Sequence, residues 1–156
     1  MKIVIKRKLN YDLRTIECAL LLLRKEQAEP GVTFTQRKNE ETHKVFQIDY
    51  DVPYLITPFV GSTVVLREDF LWKMNCLIVT TQSEGYSSKT YPYMFTQSVF
   101  TPDENNKTAT MTTTVEWAIR KGGVPLMEER LEAFGKSRFE ELLKLQNDYC
   151  EKIVNS

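Results

Sequence analysis

The stretch that decides the fold is PLMEERLEAFGKSRFEELLKLQNDYCEKIV, which runs from Pro125 to Val154 without an internal proline. Its apolar residues recur on the 3.6-residue period of an amphipathic helix. At about 1.5 Å per residue, this predicted helix is roughly 40 Å long. Because such a helix is marginal alone in water, its apolar stripe needs a surface to pack against. The stripe consists of Leu131, Phe134, Leu142, Leu145, Tyr149 and Ile153.

The preceding chain predicts strands that supply this surface. Residues 32–120 largely follow the period-two alternation of strands, most clearly from Thr108 to Arg120. Before them, Lys2 to Leu9 predicts a first strand, and the apolar face from Leu13 to Leu23 predicts a helix. Short loops after residue 63 indicate an antiparallel meander. We therefore predict an α+β fold, in which a curved antiparallel sheet of about six to seven strands wraps around the C-terminal helix.

Composition narrows the class of protein. A chain of 156 residues predicts one domain spanning 1–156, and equal counts of 21 basic and 21 acidic residues argue against nucleic-acid binding through bulk positive charge. The three cysteines have neither metal-ligand spacing nor the even count of a disulfide framework, which favours a reducing compartment. The N-terminus lacks the apolar stretch of a secretory signal, and the longest apolar run, Cys18 to Leu23, is too short to cross a bilayer. We expect an intracellular protein without a metal or cofactor.

The segment from Val52 to Gly61 is the sharpest functional hint. It is uncharged and apolar, and two prolines keep it from forming a regular strand or a long helix. One interpretation is a mobile lid that touches a membrane and uses Gly61 as a hinge. The plainer interpretation is a connector buried in the core. The lid residues that we predict to bind ligand are Val52, Tyr54, Leu55, Ile56 and Phe59.

Inward-facing side chains of the sheet and the long helix are candidates to line a cavity, although ordinary core packing explains each of them equally well. The two readings differ in volume, since a packed interior has few voids and a ligand site needs hundreds of cubic ångströms. The candidates are Trp72, Tyr93, Phe95, Met111, Val115 and Trp117 on the strands, and Leu131, Phe134, Leu142 and Leu145 on the helix.

A ligand with a charged head also needs polar partners. Arg67, Lys136 and Arg138 are candidates, and Arg138 shares the helical face of Phe134. The plainer interpretation is surface charge, because arginine and lysine are mostly exposed. Catalysis is less well supported. His43 is the only histidine and sits in a polar turn, and the sequence lacks a Gly-x-Ser-x-Gly elbow and a phosphate-binding glycine loop.

The element order resembles the helix-grip fold of the START-like (SRPBCC) superfamily, and within it the chain looks most like PRELI-type lipid-transfer domains. The matching features are Met1-Lys2-Ile3, the pattern Leu9, Leu13, Ile16, Ala19, the segment Val52-Pro53-Tyr54-Leu55-Ile56-Thr57-Pro58-Phe59-Val60-Gly61, and Phe100-Thr101-Pro102-Asp103 before a Thr-rich strand. Leu13 stands where that family has a tryptophan, and Glu29-Pro30-Gly31 replaces its Tyr-Pro-Asn-Pro segment. The resemblance implies a lid over a phospholipid cavity, a small helical protein partner and the mitochondrial intermembrane space. Sterol-binding START-like domains are a competing resemblance.

The leading hypothesis is a non-enzymatic carrier that binds and transfers a lipid or another hydrophobic ligand. It implies transient contact with a membrane surface, a cytoplasmic or mitochondrial intermembrane location, and no nucleic-acid partner. A protein-interaction or co-chaperone module is the alternative, and a cyclase or dehydratase-type enzyme is a weaker one. The predicted ligand-binding residues are Val52, Tyr54, Leu55, Ile56, Phe59, Trp72, Tyr93, Met111, Trp117, Leu131, Phe134, Leu142, Arg67 and Arg138.

Overall fold

The computed structural model describes residues 1–54, 57–83, 92–123 and 125–156, without the side chains of residues 59, 60, 125 and 126. Among the described residues, the elements follow the predicted order of a strand, a helix, about six strands and a long helix, with one short helix added before the fourth strand, and the C-terminal helix has the predicted bounds. In chain order the elements are β1 (Lys2–Leu9), α1 (Leu13–Lys25), β2 (Val32–Asn39), β3 (His43–Asp51), α2 (Thr57–Val60), β4 (Thr63–Lys73), β5 (Cys76–Ser83), β6 (Tyr93–Pro102), β7 (Ala109–Ala118) and α3 (Pro125–Val154).

The strands form a 7-stranded sheet in the order β1-β7-β6-β5-β4-β3-β2. Every neighbouring pair is antiparallel, from Lys2 opposite Glu116 in the β1–β7 pair to Val32 opposite Tyr50 in the β2–β3 pair. Strands β4 to β7 follow one another as a meander, which confirms that prediction. One concave face of this sheet is left for the helices to cover.

The turn between β4 and β5 lies later than the sequence suggested. The alternation predicts one strand from Thr63 to Phe70 and another from Trp72 to Thr81, whereas β4 continues to Lys73, which pairs with Cys76. Met74 and Asn75 form the two-residue turn with positive φ angles of 52° and 65°. Paired positive φ angles match the right-handed twist of the flanking strands, but Met-Asn is not a typical sequence for such a turn.

Helix α1 covers one end of the concave face. The Asp12 carboxylate caps it by accepting a hydrogen bond from the Thr15 backbone N–H at 2.7 Å. Farther along, both ends of the Gln27 amide bond to the backbone of Phe34, which ties the segment after the helix to β2. The predicted apolar face is buried as expected, and it consists of Leu13, Ile16, Ala19, Leu20 and Leu23.

A buried ion pair joins α1 to the sheet. Arg24 and Glu68 are only 8% and 3% exposed, and the guanidinium meets the carboxylate at Nε–Oε1 2.5 Å and Nη2–Oε2 2.8 Å. The Thr81 hydroxyl donates to the same carboxylate, and the guanidinium lies over the rings of Phe34 and Phe70. Burial alone would lower the pKa of Arg24, but the Glu68 carboxylate raises it above the ordinary value. The Arg24 guanidinium therefore remains charged inside the fold.

Helix α3 packs on α1 at its C-terminal end. Tyr149 and Cys150 are buried there, and the Tyr149 hydroxyl donates to Glu26 at 3.3 Å. Burial raises the pKa of the Cys150 thiol to about 12, which keeps it protonated. Within the described ranges, no helix is both long enough and apolar enough to span a membrane.

Breaking the buried pair should be costly. We expect Arg24→Met to lower the free energy of unfolding by about 3–5 kcal/mol, because it leaves the Glu68 carboxylate buried without its cation. The double variant Arg24→Met/Glu68→Leu should regain part of this loss. Urea denaturation of each variant measures the effect.

The matched control is the exposed ion pair of Arg7 with Glu140, whose atoms lie 2.8 Å apart. Arg7→Met should cost less than about 1 kcal/mol, because solvent screens an exposed pair. Equal losses at Arg24 and Arg7 would mean that the buried pair has no special structural role.

Candidate ligand-binding cavity

A cavity of about 400 Å³ lies between the concave face of the sheet and helix α3. Its volume falls within the roughly 300–1,000 Å³ typical of small-molecule sites. Most of the lining is apolar, with a few polar groups among the hydrophobic side chains. A space of this size is well beyond the small voids of an ordinarily packed interior.

Alternation along the strands builds one wall of the cavity. On β7 the inward residues include Met111, Thr113, Val115 and Trp117, as the sequence pattern indicated for the apolar members. Their antiparallel partners on β6 face the same way, because directly opposed residues share a face. Those partners are Phe100, Ser98, Thr96 and Met94, in that order.

Helix α3 supplies the opposite wall. Leu131, Phe134 and Leu142 line the cavity, and Phe134 is still 43% exposed, so this side of the cavity reaches solvent. Gly135 also lines it, and an added Cβ there would meet no atom of the described residues within 4 Å. The mid-helix glycine therefore leaves room in the cavity, and no close approach of another element explains it.

A charged group sits at the edge of the cavity where α3 meets the α1–β2 connection. Arg138 Nη2 donates to the Pro30 carbonyl at 2.6 Å and approaches Glu29 Oε1 at 3.4 Å. Burial raises the pKa of Glu29, although the guanidinium groups of Arg24 and Arg138 oppose the shift. Burial likewise raises the pKa of Tyr50, and Arg138 acts against it.

Two residues of the cavity lining each have a buried N–H group without an acceptor among the described residues. The two atoms are Gln146 Nε2 on α3 and Trp117 Nε1 on β7. Nearby in the lining, the hydroxyls of Ser98 and Thr113 bond to each other at 2.8 Å. The two nitrogens are closed to a water-sized probe, so of these polar groups an occupant can meet only the hydroxyls.

The structure brings eight of the predicted ligand-binding residues to the cavity. Three others lie elsewhere: Tyr54, Trp72 and Arg67. Leu55 and Ile56 lie outside the described residues, as does the side chain of Phe59. The eight lining residues are Val52, Tyr93, Met111, Trp117, Leu131, Phe134, Leu142 and Arg138.

The sheet places three predicted residues outside the cavity lining: Arg67, a candidate polar partner for a charged ligand head, and Trp72 and Phe95, candidate lining residues. Arg67 lies on the outer face and bonds to Asp69 at 2.8 Å. Trp72 is at the far end of β4, where its indole N–H donates to Glu17 of α1 and Arg14 stacks 4.6 Å from its ring. Phe95 is out of phase with the inward residues of β6. A shift of one residue turns a strand side chain to the other face.

The predicted lid segment is only partly described. Tyr54 is 93% exposed and is not part of the cavity lining, whereas Val52 and Pro53 line it. The one-turn helix α2 follows, and Gly61 ends it with a φ of +87°, a conformation that favours glycine. Lys136, the other cationic candidate, forms an exposed ion pair with Glu132.

Sequence reasoning missed the polar part of the lining. Glu68 and Gln146 resemble ordinary surface residues in a strand or helix pattern, and the alternation of β7 assigns Thr108, Thr110, Thr112 and Thr114 to the outer face without placing Thr113. Glu68 carried one signal, since it alternates in phase with Leu66 and Phe70. Gln146 likewise falls four residues after Leu142, on the apolar stripe of α3.

Solved structures share this architecture across nearly the whole chain. Zhui aromatase/cyclase from Streptomyces sp. R1128 superposes with a TM-score of 0.65 at 11% identity, covering 99% of this chain and 95% of that one. The STAR-related lipid transfer protein from Xanthomonas axonopodis gives 0.63 at 14% identity, covering 95% and 85%. TTHA0849 from Thermus thermophilus gives 0.66 at 13% identity, covering 98% and 99%. No protein-family model and no curated protein sequence matches the chain.

This chain has the helix-grip fold. At these low identities the comparison establishes the fold alone, and helix-grip proteins include both lipid-transfer and cyclase examples. Among the residues that the structure describes, no cluster of His, Cys, Asp or Glu is arranged to hold a metal ion.

The raised pKa of Glu29 predicts a specific pH dependence. The native state holds this proton more tightly than the unfolded state, so wild-type stability should fall relative to Glu29→Gln as pH rises from about 4.3. The difference should level off once Glu29 is ionised in both states. Chemical denaturation at several pH values measures it. The same comparison with Glu104→Gln, at an exposed turn, shows whether the pH dependence is specific to position 29. If wild-type stability instead rises relative to Glu29→Gln over this pH range, folding does not raise the pKa of Glu29.

Proposed function

We propose that this helix-grip protein binds a lipid or another hydrophobic small molecule between its sheet and α3. The observation that carries the proposal is the 400 Å³ cavity, bordered mainly by apolar side chains and reaching solvent beside Phe134. Burial of ligand surface at about 25 cal/mol per Å² would supply most of the affinity. The protein-interaction alternative required a small dry core, and the cavity favours ligand binding over it.

Transfer between membranes is the finer part of this proposal. The apolar segment before α2 places Val52 and Pro53 at the cavity and Tyr54 in solvent, so one short stretch meets both environments. Such a segment suits release of a ligand at a membrane surface, because aromatic side chains favour the membrane interface. A PRELI-type phospholipid is one candidate ligand, but the modest volume favours single acyl chains or ring systems.

Catalysis within the cavity is the second candidate function. Glu29 and Tyr50 both border the cavity, and burial raises the pKa of each. A shifted acid–base pair of this kind is the feature that an enzyme acting on a polyketide- or steroid-like substrate requires. The non-enzymatic carrier remains the leading proposal, because Glu29 already forms contacts with Arg138 that hold α3 against the α1–β2 connection.

Native mass spectrometry after mild purification tests the binding proposal. We expect a single copurified or added apolar ligand per chain, and stronger binding of fatty acids and ring systems than of two-chain phospholipids, because the cavity lies in the lower part of the ligand-site range. If phospholipids, fatty acids and sterols all fail to bind, the carrier proposal is wrong.

A cavity-filling variant locates the bound molecule. We expect Val115→Phe to weaken binding of the apolar dye phenylnaphthylamine by about tenfold or more, equivalent to about 1.4 kcal/mol, with stability unchanged or raised. Fluorescence titration and urea denaturation measure the two effects.

The control is Thr114→Phe on the neighbouring outward position, which pairs with Val4 and Gln97. It adds the same ring outside the cavity and should leave dye affinity unchanged. Unaltered binding to the Val115 variant would place the dye somewhere else.

A further inference from the structure

A polar cluster lies at the edge of the cavity, where the end of β3 meets the α1–β2 connection. The Asp51 backbone N–H donates to the Gly31 carbonyl at 2.9 Å, so this connection runs beside the last residues of β3. Arg138 of α3 reaches the same connection and approaches Glu29 at 3.4 Å. Three residues of the cavity lining therefore meet here, and they are Glu29, Tyr50 and Arg138.

Two oxygen atoms of this cluster have no hydrogen-bond partner among the described residues. They are the Tyr50 hydroxyl and Glu29 Oε2, since the hydrogen bond from Arg138 Nη2 goes to Glu29 Oε1. Neither belongs to the unpaired side-chain atoms that are closed to a water-sized probe, so an occupant of the cavity can reach both. Burial raises the pKa of Tyr50, Arg138 lowers it and Glu29 raises it, which indicates that the three side chains interact.

Resting on the proposed ligand-binding function, we propose that the ligand is an apolar molecule with a hydroxyl group, which donates a hydrogen bond to Glu29 Oε2 and accepts one from the Tyr50 hydroxyl. A carboxylate oxygen needs a donor, and a phenol O–H needs an acceptor. One hydroxyl supplies both. An ether or ester oxygen accepts only, and it leaves the Glu29 oxygen without a donor.

The charges of the cluster argue against an anionic head group. Arg138 already donates to the Pro30 carbonyl at 2.6 Å, and its charge is balanced by Glu29. A ligand carboxylate would therefore lie beside a carboxylate of the protein without a free cation to offset the repulsion. A neutral hydroxyl meets the same atoms without bringing a charge into the cavity.

The position of the cluster also orients the ligand. Arg138 lies one helical turn after Phe134, which is 43% exposed, so the hydroxyl end stays near the opening of the cavity. The apolar end extends toward Met111 and Phe100, which are opposed on β7 and β6, line the cavity and are almost completely buried. Such a ligand keeps its one polar group close to water.

Two isomers test this inference. 1-Decanol and 1-methoxynonane have the same molecular formula, but only the alcohol has an O–H to donate. We expect the wild-type protein to bind the alcohol about tenfold or more tightly than the ether, the range for a hydrogen bond to a charged group. Displacement of phenylnaphthylamine, followed by its fluorescence, measures both affinities.

Two variants separate the two hydrogen bonds. Glu29→Met removes the acceptor and should abolish the preference for the alcohol over the ether. Tyr50→Phe removes a donor that serves the oxygen of either isomer, so it should weaken both by about threefold and keep the preference.

The matched control is Glu141→Met. Glu141 is a second carboxylate beside Arg138, with 3.8 Å between Arg138 Nη1 and Glu141 Oε2, but it does not line the cavity. Its loss should leave the preference for the alcohol unchanged. Decanoate, the ionised acid of the same chain length, should bind the wild-type protein less tightly than 1-decanol.

The outcomes distinguish the hydroxyl inference from the proposed function. If the wild-type protein binds both isomers equally, if folded Glu29→Met keeps the preference, or if decanoate binds more tightly than 1-decanol, the hydroxyl inference is wrong and cavity binding stands. Tyr50→Phe is the milder change, and unaltered affinities in that variant would equally contradict the inference. If the wild-type protein binds neither the dye nor any of the three probes, the proposed function is overturned as well.

Discussion

The buried ion pair of Arg24 with Glu68 is the interaction on which the rest of the structure depends. It secures α1 to the middle of the sheet, and α1 in turn provides the surface on which the C-terminal end of α3 packs. Two charges at this depth are tolerated because the guanidinium meets the carboxylate through two hydrogen bonds and Thr81 donates a third. With α3 held at its end, the remainder of that helix spans the concave sheet without filling it.

The cavity follows from this arrangement and from the choice of side chains around it. A curved sheet cannot be filled by one straight helix unless large residues project from both sides. Here Gly135 on α3 and hydroxyl residues such as Ser98 and Thr113 on the sheet are small, so space remains. The charged side chains are paired, Arg138 with Glu29 at the α1–β2 connection and Arg24 with Glu68 where α1 meets β4. The rest of the lining is mainly apolar.

Prediction from sequence succeeded where a periodic pattern decided burial. The apolar face of α1, the bounds of α3 and the inward face of β7 all follow from spacing alone, since one face of each element must leave water. Prediction failed where the position of a turn or a shift of one residue decided which face of the sheet a side chain occupies. The positive-φ turn at Met74 and Asn75 moved Trp72 onto β4, and an error of one residue on β6 reversed Phe95.

By itself, the sequence determined that a strand-rich chain ends in a long amphipathic helix and that the two must pack together. Hydrophobic periodicity carries that information locally, because it depends only on which residues share a face. Only the tertiary structure decided that the space between them is a cavity and that Gln146 and Trp117 of its lining each have a buried N–H group without an acceptor among the described residues. Cavity volume and hydrogen-bond satisfaction depend on side chains from distant parts of the chain, so spacing within one element cannot encode them.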